Sequence, residues 1–393
     1  MDSTGPLAGI KVLDFGHMVM GPSCGLVLAD LGAEVMRIEP PQGDPTRKLK
    51  GFGLGFFTYF NRNKSSAQLD LKQGEASQEV MRRALEWADV VIENFAPGVM
   101  ARLGLGYEDV AKVNARIVYC SLKGYLPGPY QDRLALDEVA QMMGGMAYMT
   151  GPAGTPLRAG GSVVDITGGV FGAVGILAAL RERERTGRGQ LVESSLFESA
   201  AFYTGQHMAY FSMSGETPKP MPTRSHVFTV YDLFKTADND VFVGVTSEQQ
   251  WDRFCQEFGL AHLKADPELA TQADRLKVRP RVIAAVAEVF AGLSADDIVE
   301  RCAAAKLPAA KVNRPDQLLD DPHLKASGQL LPTTLPDGRT ATLPALPFKM
   351  NGHNLGIRQQ PQPAGRQTHG FLRALGYSDA EIAGLAQAQV IPS

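Results

Sequence analysis

Short apolar runs alternate with amphipathic stretches through the first third of the chain. Residues 10–15 are a short apolar run of strand length, and 34–39 reads as a second strand. Between them lie a turn at 16–21, Pro22, which suits the first position of a helix, and Gly32, which suits its end. Residues 67–71, 90–93 and 117–122 read as further strands, and 75–88 has helical spacing. The 90–93 run ends in the turn Asn94-Phe95-Ala96-Pro97-Gly98. Repeated strand–helix units of this length predict a parallel, Rossmann-like sheet with covering helices.

The pattern then changes. A long apolar helix is predicted over 166–185, stopped by Gly187, followed by a strand at 190–193 and a helix from about 197. Residues 214–224 are rich in Pro, Gly and Ser and read as a linker. After it come a hairpin, 227–236 with 241–245, and helices at 248–258, 279–293 and 295–305. The pattern thus predicts a large α/β domain over 1–223, a smaller α+β domain over 224–329, and a segment 330–393 returning to the large domain. That segment carries a hairpin turn at 336–338 and a helical tail over 368–388.

Composition narrows the function classes. A formal net charge of −3 in 393 residues gives no field for a nucleic acid or an anionic membrane. The four cysteines form no C-x-x-C pair, which argues against a zinc site or a disulfide framework and fits a reducing cytoplasm. Residues 1–9 lack the basic and apolar regions of a leader. The most apolar stretch, 168–180, is short and glycine-rich for a membrane span. The expectation is a cytoplasmic protein with no membrane partner and no metal.

The first turn has no G-x-G-x-x-G, and Met18, Val19 and Met20 would crowd a pyrophosphate, so a dinucleotide site is not expected. Glu39, ending the second run, reads as a surface or capping residue. Asp165 sits at the start of the long apolar helix between glycine pairs. It reads as an N-cap carboxylate, held ionised by the helix terminus, at the edge of a buried core. Carboxylate nucleophiles need that state. Lys72 and Arg102 follow predicted strand ends, where ligands of α/β sheets gather. His17 occupies another strand-end turn. Composition and spacing stop at a two-domain α/β protein with ligand-binding turns.

A series of segments carries the reading further. They include Leu7-Ala8-Gly9-Ile10-Lys11-Val12-Leu13-Asp14-Phe15, Leu31-Gly32-Ala33-Glu34-Val35, Gly43-Asp44-Pro45-Thr46-Arg47 and Asn61-Arg62-Asn63-Lys64. Leu69-Asp70-Leu71-Lys72, Glu93-Asn94-Phe95-Ala96-Pro97-Gly98 and Thr186-Gly187-Arg188-Gly189-Gln190 continue it in order. With these the chain resembles the formyl-CoA transferase family, the family III CoA-transferases, along nearly its whole length. The resemblance implies an interlocked homodimer and transfer of CoA between acyl-CoA and a small carboxylic acid, with Asp165 as nucleophile. CoA and acyl-CoA would be substrates, with no permanently bound cofactor. CoA would lie on Val19 and Met20, on Leu69, Asp70, Leu71 and Lys72, on Asn94, Phe95 and Ala96, and on Arg102. His17 and Arg47 fall on loops placed near the acyl end, where Arg47 is expected to meet the distal carboxylate of a dicarboxylate acceptor.

The chain departs from the family in three places. The family's glycine-rich flap corresponds to Ser225-His226-Val227-Phe228, so a tight oxalate or formate pocket is not expected. Leu134 replaces a CoA-contacting lysine, next to Arg133, and Pro40 replaces a CoA-contacting arginine. The competing enzyme, a 2-methylacyl-CoA racemase, needs a histidine where this chain has Leu136. A non-catalytic CoA-binding protein is the third reading, and Asp165 speaks against it.

Overall fold

A computed structural model describes residues 5–392, so residues 1–4 of the stretch read above against a leader lie outside the described residues. The chain divides into two compact units, one running to Pro222 and resuming at Pro322, the other Thr223–Asp321.

The first unit is built on six parallel strands: β1 (Lys11–Asp14), β2 (Glu34–Glu39), β3 (Lys64–Gln68), β4 (Val90–Glu93), β5 (Val118–Lys123) and β6 (Leu191–Ser195). Their order is β3-β2-β1-β4-β5-β6. Alternate residues feed opposite faces, as strand geometry requires. Leu13 and Met36 join one core with α2 (Gly74–Trp87). Val12 and Val35 join the other with α1 (Met20–Asp30). Both cores contain fully buried aliphatic side chains, each worth roughly 1.5–3 kcal/mol against exposure.

The strand read at 67–71 lies three residues earlier, at Lys64–Gln68. Its polar side chains are paired inside the fold. Lys64 Nζ donates to Asp14 Oδ2 at 2.8 Å and to the Pro22 carbonyl at 2.9 Å, and Ser66 donates to Glu39 Oε1 at 2.7 Å. Glu39 is therefore buried, not a surface residue. It holds Arg47 by two contacts of 2.8 and 2.6 Å and accepts from the Asp44 N–H.

The helix read over 166–185 is Val163–Thr186 (α4), 24 residues long, and α3 (Asp137–Met143) precedes it. Its length is enough to cross a bilayer, which corrects the expectation from 168–180. Its small residues serve packing inside the fold. A methyl group on Gly169 would stand 2.4 Å from the Met20 carbonyl oxygen, and one on Gly172 would stand 2.7 Å from Leu122. Only glycine lets α1 and the sheet come so close. After β6, α5 (Leu196–Ser214) begins on a Ser195 side-chain cap.

The second unit has its own antiparallel sheet, β7 (Tyr231–Lys235), β8 (Asp240–Gly244) and β9 (Ala309–Lys311). Helices α6 (Glu248–Glu257), α7 (Arg279–Ala291) and α8 (Ala295–Ala304) pack a core around Phe254 and Phe290 against it. Beyond Pro322 the hairpin β10 (Leu330–Thr334) with β11 (Thr340–Pro344) forms. The tail is two helices, α9 (Thr368–Ala374) and α10 (Asp379–Gln387), because Gly376 turns the chain at φ +87°. Phe371, Leu372 and Ile382 complete the core under α2.

Candidate active site

Strand order reverses between β1 and β4, so the turns leaving these two strands diverge and open a crevice at their carboxyl ends. The turns are clipped together there. Asn94 accepts the His17 N–H at 2.8 Å through Oδ1 and donates to the His17 carbonyl at 3.0 Å through Nδ2. Glu93 organises the second turn by accepting the Phe95 N–H at 3.0 Å and gripping Lys123 Nζ at 2.6 and 2.7 Å. Lys123 also donates to the Phe95 carbonyl. In the first turn Gly16 and Gly21 press together so closely that a side chain on Gly16 would stand 2.7 Å from the Gly21 Cα.

The crevice is a cavity of about 310 Å³. His17, Val19 and Met20 line one wall and Asn94, Phe95 and Ala96 another. Asp165 and Ser162 close it from the start of α4, Asp137 from α3, and Phe52, Phe56, Leu134 and Leu136 add apolar surface. The His17 ring lies 5.1 Å from the Phe95 ring, and its buried Nδ1 has no hydrogen-bond partner among the described residues. Burial depresses its pKa, which favours the neutral imidazole.

Asp165 is not the cap of its helix. It is the third residue of the helix, in the first turn after Ser162. The cap comes from Asp137, whose Oδ2 accepts from the N–H groups of Val164 at 3.0 Å and Asp165 at 3.2 Å. Nor is the Asp165 carboxyl held in the ionised form. Burial, then the charges of Asp137 and Glu138, push its pKa up to about 7, with Arg158 working the other way. A methyl group on Gly160 or Gly161 would meet nothing within 4 Å, so the backbone before Asp165 leaves room for a ligand.

The structure therefore brings together His17, Val19, Met20, Asn94, Phe95, Ala96 and Asp165. It does not bring Leu69, Asp70, Leu71, Lys72 and Arg102 to this cavity. Leu69 is buried in the core, and Asp70 turns the chain by accepting the Lys72 N–H at 3.0 Å. Leu71 lines a separate depression of about 520 Å³ with Leu103, Gly104 and Leu105. Lys72 and Arg102, each next in sequence to one of these lining residues, are exposed. Arg47 is also outside the cavity. Its guanidinium pairs with Glu39, donates to the Gln362 carbonyl at 2.9 Å and stacks 3.6 Å from the Phe57 ring centre. Three of its N–H groups are committed to these structural partners, and the structure does not bring Arg47 to the cavity where an acceptor acid was expected to meet it. Sequence reasoning passed over Asp137 and the Glu93–Lys123 pair. The one available signal for Asp137 was an acidic pair, Asp137-Glu138, opening a helix.

The Asp165 carboxylate thus shares one cavity with two strand-end turns and a set of apolar side chains. The chain matches the model of CoA-transferase family III over residues 7–368. It belongs to that family and is a CoA-transferase. An acetyl-CoA:oxalate CoA-transferase of Acetobacter aceti is 32% identical, over 84% of this chain and 88% of its own length. The beta subunit of a succinyl-CoA–L-malate CoA-transferase of Chloroflexus aurantiacus is 30% identical, over 99% of both chains. Among solved structures, a CaiB/BaiF family protein of Brucella suis superimposes with a TM-score of 0.84 at 29% identity, over 94% of this chain and 99% of its own.

Proposed function

We propose that this enzyme moves CoA from an acyl-CoA donor, succinyl-CoA first among them, to a small organic-acid carboxylate through covalent intermediates on Asp165. The observation that carries the reading is the Asp165 carboxylate sharing one cavity with the turns after β1 and β4. Two relatives, whose names state succinyl-CoA and mesaconate, and succinyl-CoA and L-malate, support the donor and the acceptor class.

Deprotonated Asp165 attacks the donor's thioester carbonyl. The C–S bond breaks, leaving an acyl-aspartyl anhydride and CoA thiolate. The thiolate attacks the aspartyl carbonyl, breaks the anhydride and frees the donor as its carboxylate, leaving an aspartyl-CoA thioester. The acceptor carboxylate then attacks that thioester, and the returning thiolate takes the acceptor's acyl group and releases Asp165. The apolar lining from Phe52, Phe56 and Leu136 limits water at the anhydride stages. First-turn N–H groups of α1, at Met20 and Gly21, have no partner within the helix and supply an oxyanion site. His17, neutral at the wall, takes a polar group of the acyl or acceptor moiety. Lys72 and Arg102 meet the phosphates of CoA, the fixed positive donors that ADP requires.

The same reading has the enzyme working in the cytoplasm as a homodimer, with no permanently bound cofactor. The exposed apolar side chains Val170 and Val174 of α4 and Phe202, Met208, Phe211 and Met213 of α5 support the dimer. A coupled screen of acyl-CoA donors against mono- and dicarboxylates tests the function. Release of donor acid in step with formation of a new acyl-CoA is the expected result. Deuterium entry at the α-carbon of a 2-methylacyl-CoA without CoA transfer would instead establish a racemase, despite Leu136.

A further inference from the structure

We infer that Asp137 is a positioning residue for this reaction, holding Asp165 at the cavity by capping the first turn of α4 and setting a second carboxylate beside the nucleophile. The inference rests on Asp165 being that nucleophile.

The geometry is specific. Ser162, at the cap position of α4, supplies no side-chain cap. Asp137, only 5% exposed, does so from another helix with one oxygen shared between two N–H groups. Its other oxygen accepts from Gln141 Nε2 at 2.5 Å, and Gln141 Oε1 accepts the Ala159 N–H at 2.9 Å. Arg158 lies 3.6 Å from Asp137, pairs with Glu138 and donates to the Gly161 carbonyl at 2.8 Å. The segment leading into the nucleophile is thus stapled to α3 at three points. A plain cap needs one hydrogen-bonding oxygen, and a serine or asparagine supplies it. Placing a buried carboxylate there adds a like charge beside Asp165 and makes its carboxylate harder to form.

Other charges face this site. Glu138 adds to the effect of Asp137, and Arg158 opposes both. His17 comes from the turn after β1, Lys123 from β5 (neutralised by Glu93 of β4), and Arg133 from the loop before α3. Of the titratable groups on α1 and α5, which pack against α4, Cys24 lies at Gly172, Glu198 is bonded to Ser195 and Tyr203 to Thr167, and these three do not line the cavity. Asp137 and Arg158 are the pair of opposite sign whose removal makes opposite demands.

The test is the pH dependence of kcat/KM for CoA transfer by the full-length enzyme and two variants. Asp137→Asn keeps an oxygen for the cap and removes the charge. Its rising limb should move down by on the order of one pH unit. Arg158→Gln should move the limb up. A cap with no electrostatic role leaves both limbs in place, and unshifted limbs, or shifts in the same direction, overturn the inference. If Asp137→Asn loses its folded circular dichroism, Arg158→Gln decides alone: an upward shift supports, no shift overturns. Asp137→Ala, which also loses the cap, should lower kcat by about tenfold, the equivalent of roughly one capping interaction. The nucleophile assignment fails separately, if Asp165→Ala still transfers CoA.

Discussion

At the scale of single residues, Asp165 and Arg47 show how burial reassigns a charge. Asp165 is held with a pKa of about 7, against about 3.9 for an aspartate in an unfolded chain. The folded protein therefore binds the extra proton between those values. This group stabilises the fold fully below about pH 4, and that contribution is lost as pH rises through about 7. Asp165→Asn removes the dependence, so it should raise the melting temperature more at about pH 8 than at about pH 5. Equal shifts at both pH values would show that Asp165 titrates normally. Arg47 is a structural ion pair. Arg47→Ala strands the fully buried Glu39 carboxylate, which keeps only Ser66 and the Asp44 N–H. Breaking a buried pair from one side costs about 3–5 kcal/mol. Urea denaturation should place the loss near the lower figure, with KM for the acceptor acid unchanged in the protein that remains folded. A raised KM with unaltered stability would return Arg47 to the acceptor pocket.

At the scale of elements, strands with an apolar centre were legible: 34–39 and 90–93 form as read because Val35, Met36 and Ile38, and Val90, Val91 and Ile92, are buried in the core. Lys64–Gln68 was misplaced because Lys64 and Ser66 are buried by partners, Asp14 and Glu39, that lie 50 and 27 residues away. No local pattern carries that information. The same holds for the site. Its strand-end turns were legible from Pro and Gly positions, whereas the hold of Asp137 on α4 spans 27 residues and exists only once α3 and α4 have packed. The glycines of α4 are points of close approach. Gly169→Ala forces a methyl group into the Met20 carbonyl and Ser23, both backbone-fixed neighbours in α1. It should destabilise the fold by about 1–3 kcal/mol and lower kcat by disturbing the turn at Met20. Gly384→Ala in α10 meets nothing within 4 Å and should instead stabilise by about 0.5–1 kcal/mol. Thermal melts of the two variants moving in the same direction would contradict this account of the α1–α4 contact.

At the scale of the molecule, the family places this chain among the CoA-transferases, and the exposed apolar side chains of α4 and α5 bear on how it assembles. Phe202→Glu with Met213→Glu puts two charges on that face. Light scattering should find the parent protein at twice the chain mass and the double variant at the monomer mass. A monomeric parent would remove the homodimer from the account. The central claim, that CoA passes through a covalent bond to Asp165, is tested most directly by trapping. Enzyme incubated with succinyl-CoA and then hydroxylamine should carry a hydroxamate on the peptide containing Asp165, because hydroxylamine cleaves an aspartyl thioester or anhydride and leaves free carboxylates alone. The label should require the acyl-CoA and be absent from Asp165→Ala, whose transfer rate should fall by on the order of 10⁴-fold. Steady CoA transfer with no label at Asp165, or transfer that survives in Asp165→Ala, would contradict the account.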